Sequence, residues 1–337
     1  MLEAPPLPIA RGELSRSVIT AMRGGEVALS QAALERAEAD DDDLQLALYL
    51  CYELHYRGWS DVEPHAEWSP ALLALRSDLE RQFLHRLEAI APRPSAIPPA
   101  AVPAELRRLI AEASAPPLSS WVKAHGTRQH LQELAIHRSP YQLKEADPHT
   151  WAIPRLPAGR AKSALLTLQF DEYGNGETGK SHAELFADTM RSLGLDHHYG
   201  RYIDDVPGVT LATVNLLSMF GLHRSLVGAC LGHLAVFEMT SVEPMTRYAA
   251  AHRRVTGSDQ GTAFYDVHIT ADTEHAQIAI RDLVPGIVDA DPQLSGDVLF
   301  GARALLELEA RFATHVIDRW TRRQSSLYVN EELAAAS

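Results

Sequence analysis

Thr262-Ala-Phe-Tyr-Asp-Val-His268-Ile-Thr-Ala-Asp272-Thr-Glu-His275-Ala-Gln-Ile-Ala-Ile280 is the stretch whose reading decides the fold. It predicts a helix over 262–280. At 3.6 residues per turn, His268, Asp272 and His275 take positions i, i+4 and i+7 and share one face. Two imidazoles and a carboxylate on one stripe suit a transition metal that accepts mixed nitrogen and oxygen ligands. What stands upstream makes the pattern specific.

Apolar spacing predicts a helix over 225–255, joined to 262–280 by the turn Gly257-Ser-Asp-Gln-Gly261 and so antiparallel to it. Glu238 falls near its middle, in Ala235-Val-Phe-Glu-Met239, where a charge needs a partner or a metal. Glu238 lies roughly 25 Å from the turn and His275 roughly 20 Å, so the two face each other across the pair. Earlier still, Glu172 and His182 flank Glu172-Tyr-Gly-Asn-Gly-Glu-Thr-Gly-Lys-Ser-His182. In one continuous helix over 161–193 they would stand roughly 80° apart. A kink at Gly174, Gly176 or Gly179 brings them to one site. Tyr141-Gln-Leu-Lys-Glu-Ala-Asp-Pro-His149 offers Glu145, with Asp147 as its competitor. Carboxylate-rich di-iron bundles use this chemistry, glutamates and histidines projecting inward from several helices.

The ordered set, Lys-Glu-Ala-Asp-Pro-His, then Glu-x9-His, then a mid-helix Glu, then His-x3-Asp-x2-His, resembles the haem-oxygenase-like di-iron oxidases, the iron-containing redox enzymes. The resemblance covers about residues 118–329. It implies metal ligands at Glu145, Glu172, His182, Glu238, His268, Asp272 and His275. It also implies two iron ions (Fe2+/Fe3+) as cofactor, O2 as co-substrate, and oxidation of a small molecule, commonly an amino acid, an amine or a fatty acid. The third histidine tilts the expectation toward an amino acid or amine. A haem is not expected, because an axial histidine needs no such ligand set.

Helical spacing also predicts helices over 30–56, 70–90, 105–113, 118–137, 141–145, 207–220 and 294–327. No alternating strand pattern or internal repeat stands out. The expected fold is all-α: a haem-oxygenase-like helical bundle of about seven to nine helices over 117–330, behind an N-terminal helical extension (1–91). Five prolines in Pro92–Pro103 mark a linker or surface strap within 92–116, and 331–337 is a tail.

Composition narrows the classes. The net charge is -13 and no Lys/Arg-rich run appears, so no nucleic-acid partner is expected. Cys51 and Cys230 lie far apart and outside any C-x-x-C pattern, which reads as free buried thiols in a reducing compartment. The N-terminal segment has no apolar run of signal-peptide type. The most apolar region, 206–237, is interrupted by Asn215, His223 and Arg224, so core helices are expected, no membrane span, and a cytoplasmic location.

Gly174-Asn-Gly-Glu-Thr-Gly-Lys-Ser181 matches the phosphate-binding pattern G-x-x-x-x-G-K-[ST], which makes a P-loop nucleotide-binding protein one alternative. That loop needs a parallel sheet, and this chain reads as helical. A non-catalytic iron-binding helical protein is the other alternative. Glu53 and His55 diverge by about 200° on a helix and are read as structural or subunit-contact residues. His149 and His233 are read as hydrogen-bonded core residues. Asp266 and Glu274 are candidates to orient the histidines, and Arg138, Arg155 and Arg247 to meet a substrate carboxylate. No flavin or ferredoxin segment is visible, so an electron donor would be a separate protein. Dimerisation through the N-terminal helices stays open.

Overall fold

The computed structural model describes residues 4–329, and among them every regular element is helical. The N-terminal group is α1 (Glu13–Met22), α2 (Gln31–Arg36), α3 (Asp42–Glu53) and α4 (Pro70–Ile90). Then follow α5 (Val102–Glu112), α6 (Leu118–His125), α7 (Arg128–Gln142), α8 (Asp147–Thr150), α9 (Arg160–Glu172) and α10 (His182–Ser192). The remainder is α11 (Gly208–Leu222), α12 (Val227–Thr240), α13 (Val242–Thr256), α14 (Ala263–Ile278), α15 (Val284–Ala290) and α16 (Ser295–Thr321). The tail expected at 331–337 lies outside the described residues.

The helices are shorter and more numerous than the periodicity predicts, because that reading ran through several breaks. The stretch expected as one helix over 225–255 divides at Ser241 into α12 and α13. Pro244 supplies the cause: a proline lacks the N–H and its ring clashes with the carbonyl four residues earlier, here Thr240. The stretch over 118–137 divides at Gly126, where a Cβ would meet the Val122 carbonyl oxygen at 2.4 Å, and Thr127 then caps α7. The expected helix over 161–193 is interrupted altogether: Glu172 ends α9, His182 begins α10, and Gly174, Gly176 and Gly179 between them all have positive φ. A loop, not a kink, joins the two. α1 was not anticipated, although Leu14, Val18, Ile19 and Met22 bury one helical face. Its N-terminus is capped from α3 by Asp43, which accepts hydrogen bonds from the Leu14 and Ser15 amides at 2.8 Å.

One apolar core runs from Leu14 in α1 to Leu308 in α16, so the N-terminal helices share it with the later bundle. α3 packs on α11, and Asn215 in α11 donates to the Gln45 side chain at 2.8 Å. The proline-rich segment is a strap over the start of α16. The Ile97 amide and carbonyl both bond Ser295 Oγ at 2.9 Å, and Arg303 reaches the Pro92 carbonyl at 3.3 Å. No single helix among the described residues is long and apolar enough to cross a membrane. The apolar pair α11 and α12 meets at 109° in the core, with almost every residue of both buried.

α12 is the central helix, and it lies tightest against α16. A Cβ at Gly232 would stand 1.9 Å from the Val298 carbonyl oxygen, and one at Gly301 would stand 2.0 Å from that of Ala229. The two backbones touch because neither residue has a side chain, and this contact sets the depth of Glu238 on α12. Gly301→Ala is therefore expected to destabilise the fold by about 2 kcal/mol, despite alanine's better helix propensity. Urea unfolding of the variant and wild type would measure it; an unchanged midpoint would contradict the close crossing.

Candidate metal centre

The seven expected residues come together. Ligating atoms of Glu145, Glu172, His182 and His268 lie within 4.8 Å of one another, and so do those of Glu172, Glu238, Asp272 and His275. Glu172 belongs to both groups. His182 Nδ1 stands 2.7 Å from Glu172 and 3.9 Å from Glu145, and His268 Nε2 stands 3.6 Å from Glu145. His275 Nδ1 stands 3.3 Å from Glu238, 3.4 Å from Asp272 and 3.6 Å from Glu172. All seven are buried or nearly so.

The local sequence explains how each arrives. Pro140 cannot donate to the Ile136 carbonyl, and Ser139 Oγ bonds that carbonyl instead at 2.8 Å. α7 then ends, and Ala146 at φ 75 turns the chain so that Glu145 points inward. The expected short helix over 141–145 is this helix end and turn. Glu172 is the last residue of α9, and His182 is the first of α10 behind the Ser181 cap. A π-helical turn, Ala279–Leu283, directly follows His275 and packs on α9. Such turns add a residue to the helix repeat and often mark functional sites.

Each ligand candidate is held from behind. His268 Nδ1 lies 2.6 Å from the Phe264 carbonyl, which fixes its N–H there and leaves Nε2 for the cluster. His275 Nε2 lies 3.0 Å from Asp171, which leaves Nδ1 for the cluster. Ser241, at the helix break, hydrogen-bonds Asp272. The Gln142 amide donates to Glu145 at 2.6 and 3.1 Å when its nitrogen is turned to the carboxylate. The sequence reading missed Asp171, although it adjoins Glu172. The residues it chose for this task lie elsewhere: Asp266 pairs with Arg253 at 2.7 Å near the start of α14, and Glu274 is exposed. Asp147 accepts from the Tyr173 hydroxyl at 2.7 Å and stays out of the cluster. Glu53 is structural, its carboxylate bonded to Lys144 at 3.0 Å and the Tyr199 hydroxyl at 2.7 Å.

The electrostatics call for a cation. Burial raises the carboxyl groups of Glu145, Glu172 and Glu238, and neighbouring carboxylates add to it. Burial also opposes charge on His268, but Glu145, Glu172 and Asp272 overcome it and lift the imidazole to about 10. His275 rises to about 11 against the same penalty, through Asp272, Glu238 and Asp171. His182 falls to about 4, through burial and the positive His268 beside it. Three buried atoms that face the cluster, His182 Nδ1, Asp272 Oδ1 and His275 Nδ1, have no hydrogen-bond partner. Four carboxylates and three imidazoles, with unpartnered atoms on His182, Asp272 and His275, fit divalent iron, whose charge would balance the carboxylates.

Two spaces adjoin the cluster. A chamber of about 10 Å³, room for one water-sized molecule, is lined by Tyr141, His149, Gln169 and Phe237 together with Glu145, Glu172, Glu238, His268 and Asp272. A cavity of about 300 Å³ reaches Gln142 and Ser241, which touch Glu145 and Asp272. His149 and His233, expected to be hydrogen-bonded, instead leave His149 Nε2 and His233 Nδ1 unpartnered. Their rings lie 5.5 Å apart, His149 on the 10 Å³ chamber and His233 on a separate chamber of about 20 Å³. A third acidic–histidine group, Asp196, His197 and His198, is surface-exposed or nearly so.

The phosphate-loop alternative meets a physical obstacle. The segment before it is α9, not a strand, and the Gly179 and Ser181 amides already donate to the Glu184 carboxylate at 3.0 and 3.2 Å. The loop is a capping box for α10.

Residues 132–310, more than half of the chain, match the family described as iron-containing redox enzyme, and the chain belongs to that family. It is also 28% identical over 132 residues to a nitrosourea synthase from Streptomyces achromogenes subsp. streptozoticus. That match covers 39% of this chain and 28% of the relative's length.

If the cluster awaits divalent cations, Mn(II) should raise the melting temperature, by the equivalent of about 2.7 kcal/mol at a hundredfold excess over Kd. Glu172→Ala, which removes the shared carboxylate, should lose most of that gain in the same thermal-shift assay. An equal shift in the variant would place the cation elsewhere.

Proposed function

We propose that this protein is a non-haem di-iron oxidoreductase that uses O2 to oxidise a small molecule, an amino acid or an amine. The observation that carries the reading is Glu172, common to two four-residue donor groups. Glu145, His182 and His268 would hold one iron, Glu238, Asp272 and His275 the other, and Glu172 would bridge them. Iron bound there would supply the electrons and the coordination site that reduce O2. A relative named for making a nitrosourea, a nitrogen-oxidised product, favours an amine-type substrate.

The protein's own residues do the rest. Asp171 and the Phe264 carbonyl hold the two imidazoles in single orientations, and Ser241 and Gln142 steady Asp272 and Glu145. Such outer contacts typically change metal affinity by about 10- to 100-fold. Leu168, Leu234 and Phe237 give the chamber an apolar wall, which limits the access of bulk water to the reacting atoms. The surroundings raise His268 and His275, so both carry protons at neutral pH until metal arrives. Each must lose one to ligate, so metal uptake releases protons and affinity rises with pH.

The test is anaerobic Fe(II) loading followed by O2. We expect about two irons per chain, proton release into weak buffer on loading, and a transient visible absorption on mixing with O2. His268→Ala should lose iron and O2 consumption together, and Asp171→Asn should weaken iron binding by about tenfold or more. Many irons per chain would indicate storage instead, and full turnover in Glu238→Ala would overturn the ligand assignment.

A further inference from the structure

The cavity beside the cluster is apolar on most sides, with Leu134, Phe186, Met245, Phe264 and Leu305 among its walls. One charged feature interrupts it. Arg138 on α7 and Glu309 on α16 form a two-pronged ion pair, Nη1 and Nη2 to Oε1 and Oε2 at 2.8 and 2.7 Å. Both line the cavity, and their side chains keep 25% and 30% exposure. Of the three arginines with a foreseeable role at a substrate, only Arg138 lines it. Arg155 is spent on the Leu222 carbonyl at 2.6 Å, and Arg247 on Ser119 and Glu243.

A guanidinium has five N–H donors, and the pair engages two of them. Each Glu309 oxygen also keeps a lone pair. Behind the pair, a chamber of about 20 Å³ is lined by Arg138, Glu309 and His233, the last buried with Nδ1 unpartnered. Charged hydrogen-bonding capacity therefore remains at one point of a cavity whose other polar lining groups, Gln142 and Ser241 among them, are neutral.

We propose that this cavity binds an α-amino acid with an apolar side chain, its carboxylate on Arg138, its ammonium on Glu309, and its side chain along Leu134, Phe186 and Phe264. For the chemistry after binding, this rests on the di-iron reading; the binding itself does not. A zwitterion answers both charges of the pair and adds no net charge to an apolar enclosure. A simple carboxylate would leave its own charge beside Glu309, and a simple amine would leave one beside Arg138, each a costly burial. A charged side chain would find no partner on the apolar walls. Arg138 and Gln142 are one helical turn apart, roughly 5.4 Å. With the head group on Arg138, the side chain and not the α-carbon extends toward Gln142 and Ser241, where the cavity meets the metal ligands.

The test is isothermal titration of the metal-free full chain with four probes: L-norleucine, hexanoate, pentylamine and L-lysine. Hexanoate and pentylamine are norleucine without its ammonium and without its carboxylate. We expect norleucine to bind and the other three to bind at least about tenfold more weakly, as loss of a charged hydrogen bond dictates. Arg138→Gln and Glu309→Gln should each weaken norleucine by a similar factor. Hexanoate or pentylamine binding as tightly as norleucine would overturn the zwitterion, and tight lysine binding would overturn the apolar side chain. Absence of norleucine binding up to about 10 mM would overturn both, since that is weaker than a roughly −2.7 kcal/mol interaction. The wild-type panel decides the matter even if a variant fails to fold. His268→Ala separates the two readings, because it should lose iron while retaining norleucine.

Discussion

Everything in this protein is arranged around the burial of four carboxylates in one place. At a separation of about 5 Å and an effective dielectric of 20, each like-charged pair costs about 3 kcal/mol. Among the described residues no lysine or arginine enters the cluster to offset this; the positive groups within it are imidazoles. Without metal, protons answer the field, retained on carboxyl groups and histidines that would ordinarily release them. That tension survives folding because burial elsewhere compensates: one apolar core joins α1, α3 and α4 to α11, α12 and α16, and a second joins α6, α7, α10, α13 and α14 to the end of α16.

The same constraint explains why the helices are broken where they are. A straight helix presents a stripe, and a stripe alone supplies only His268, Asp272 and His275. The other members of the cluster come from ends and turns. Glu145 comes from the turn after α7, Glu172 from the last residue of α9, His182 from the first of α10, and Glu238 from near the end of α12. Pro140, Pro244 and the glycines between Glu172 and His182 each interrupt a helix beside one of these residues. The breaks also bring support, since Ser241 reaches Asp272 only because α12 stops there.

Much of this was legible in the sequence. The i, i+4, i+7 stripe on α14 holds, and Glu238 does meet His275, at 3.3 Å. The path between them differs: the helix bends away at Ser241, so the pair does not lie along two straight antiparallel rods. Pro244 carried that information, but averaged apolar spacing does not weigh a single missing N–H. The roles of Asp171 and Ser241 were hidden for another reason. Both act through contacts made by side chains distant in sequence, and a window along the chain holds no trace of those. The phosphate-loop match shows the converse, a pattern whose amides are already spoken for by Glu184.

The ion pair between Lys144 and Glu53 links the first helices to the reactive centre. Its side chains are 1% and 0% exposed, and Lys144 immediately precedes Glu145. Cutting the chain at the proline-rich strap would remove Glu53 and strand an ammonium inside the protein, one residue from Glu145. Freed of its partner, that ammonium would become a rival for the acidic cluster, neutralising the field that favours a bound cation. The first hundred residues thus act as a custodian of charge: they keep Lys144 occupied, so that the carboxylates stay available to a cation.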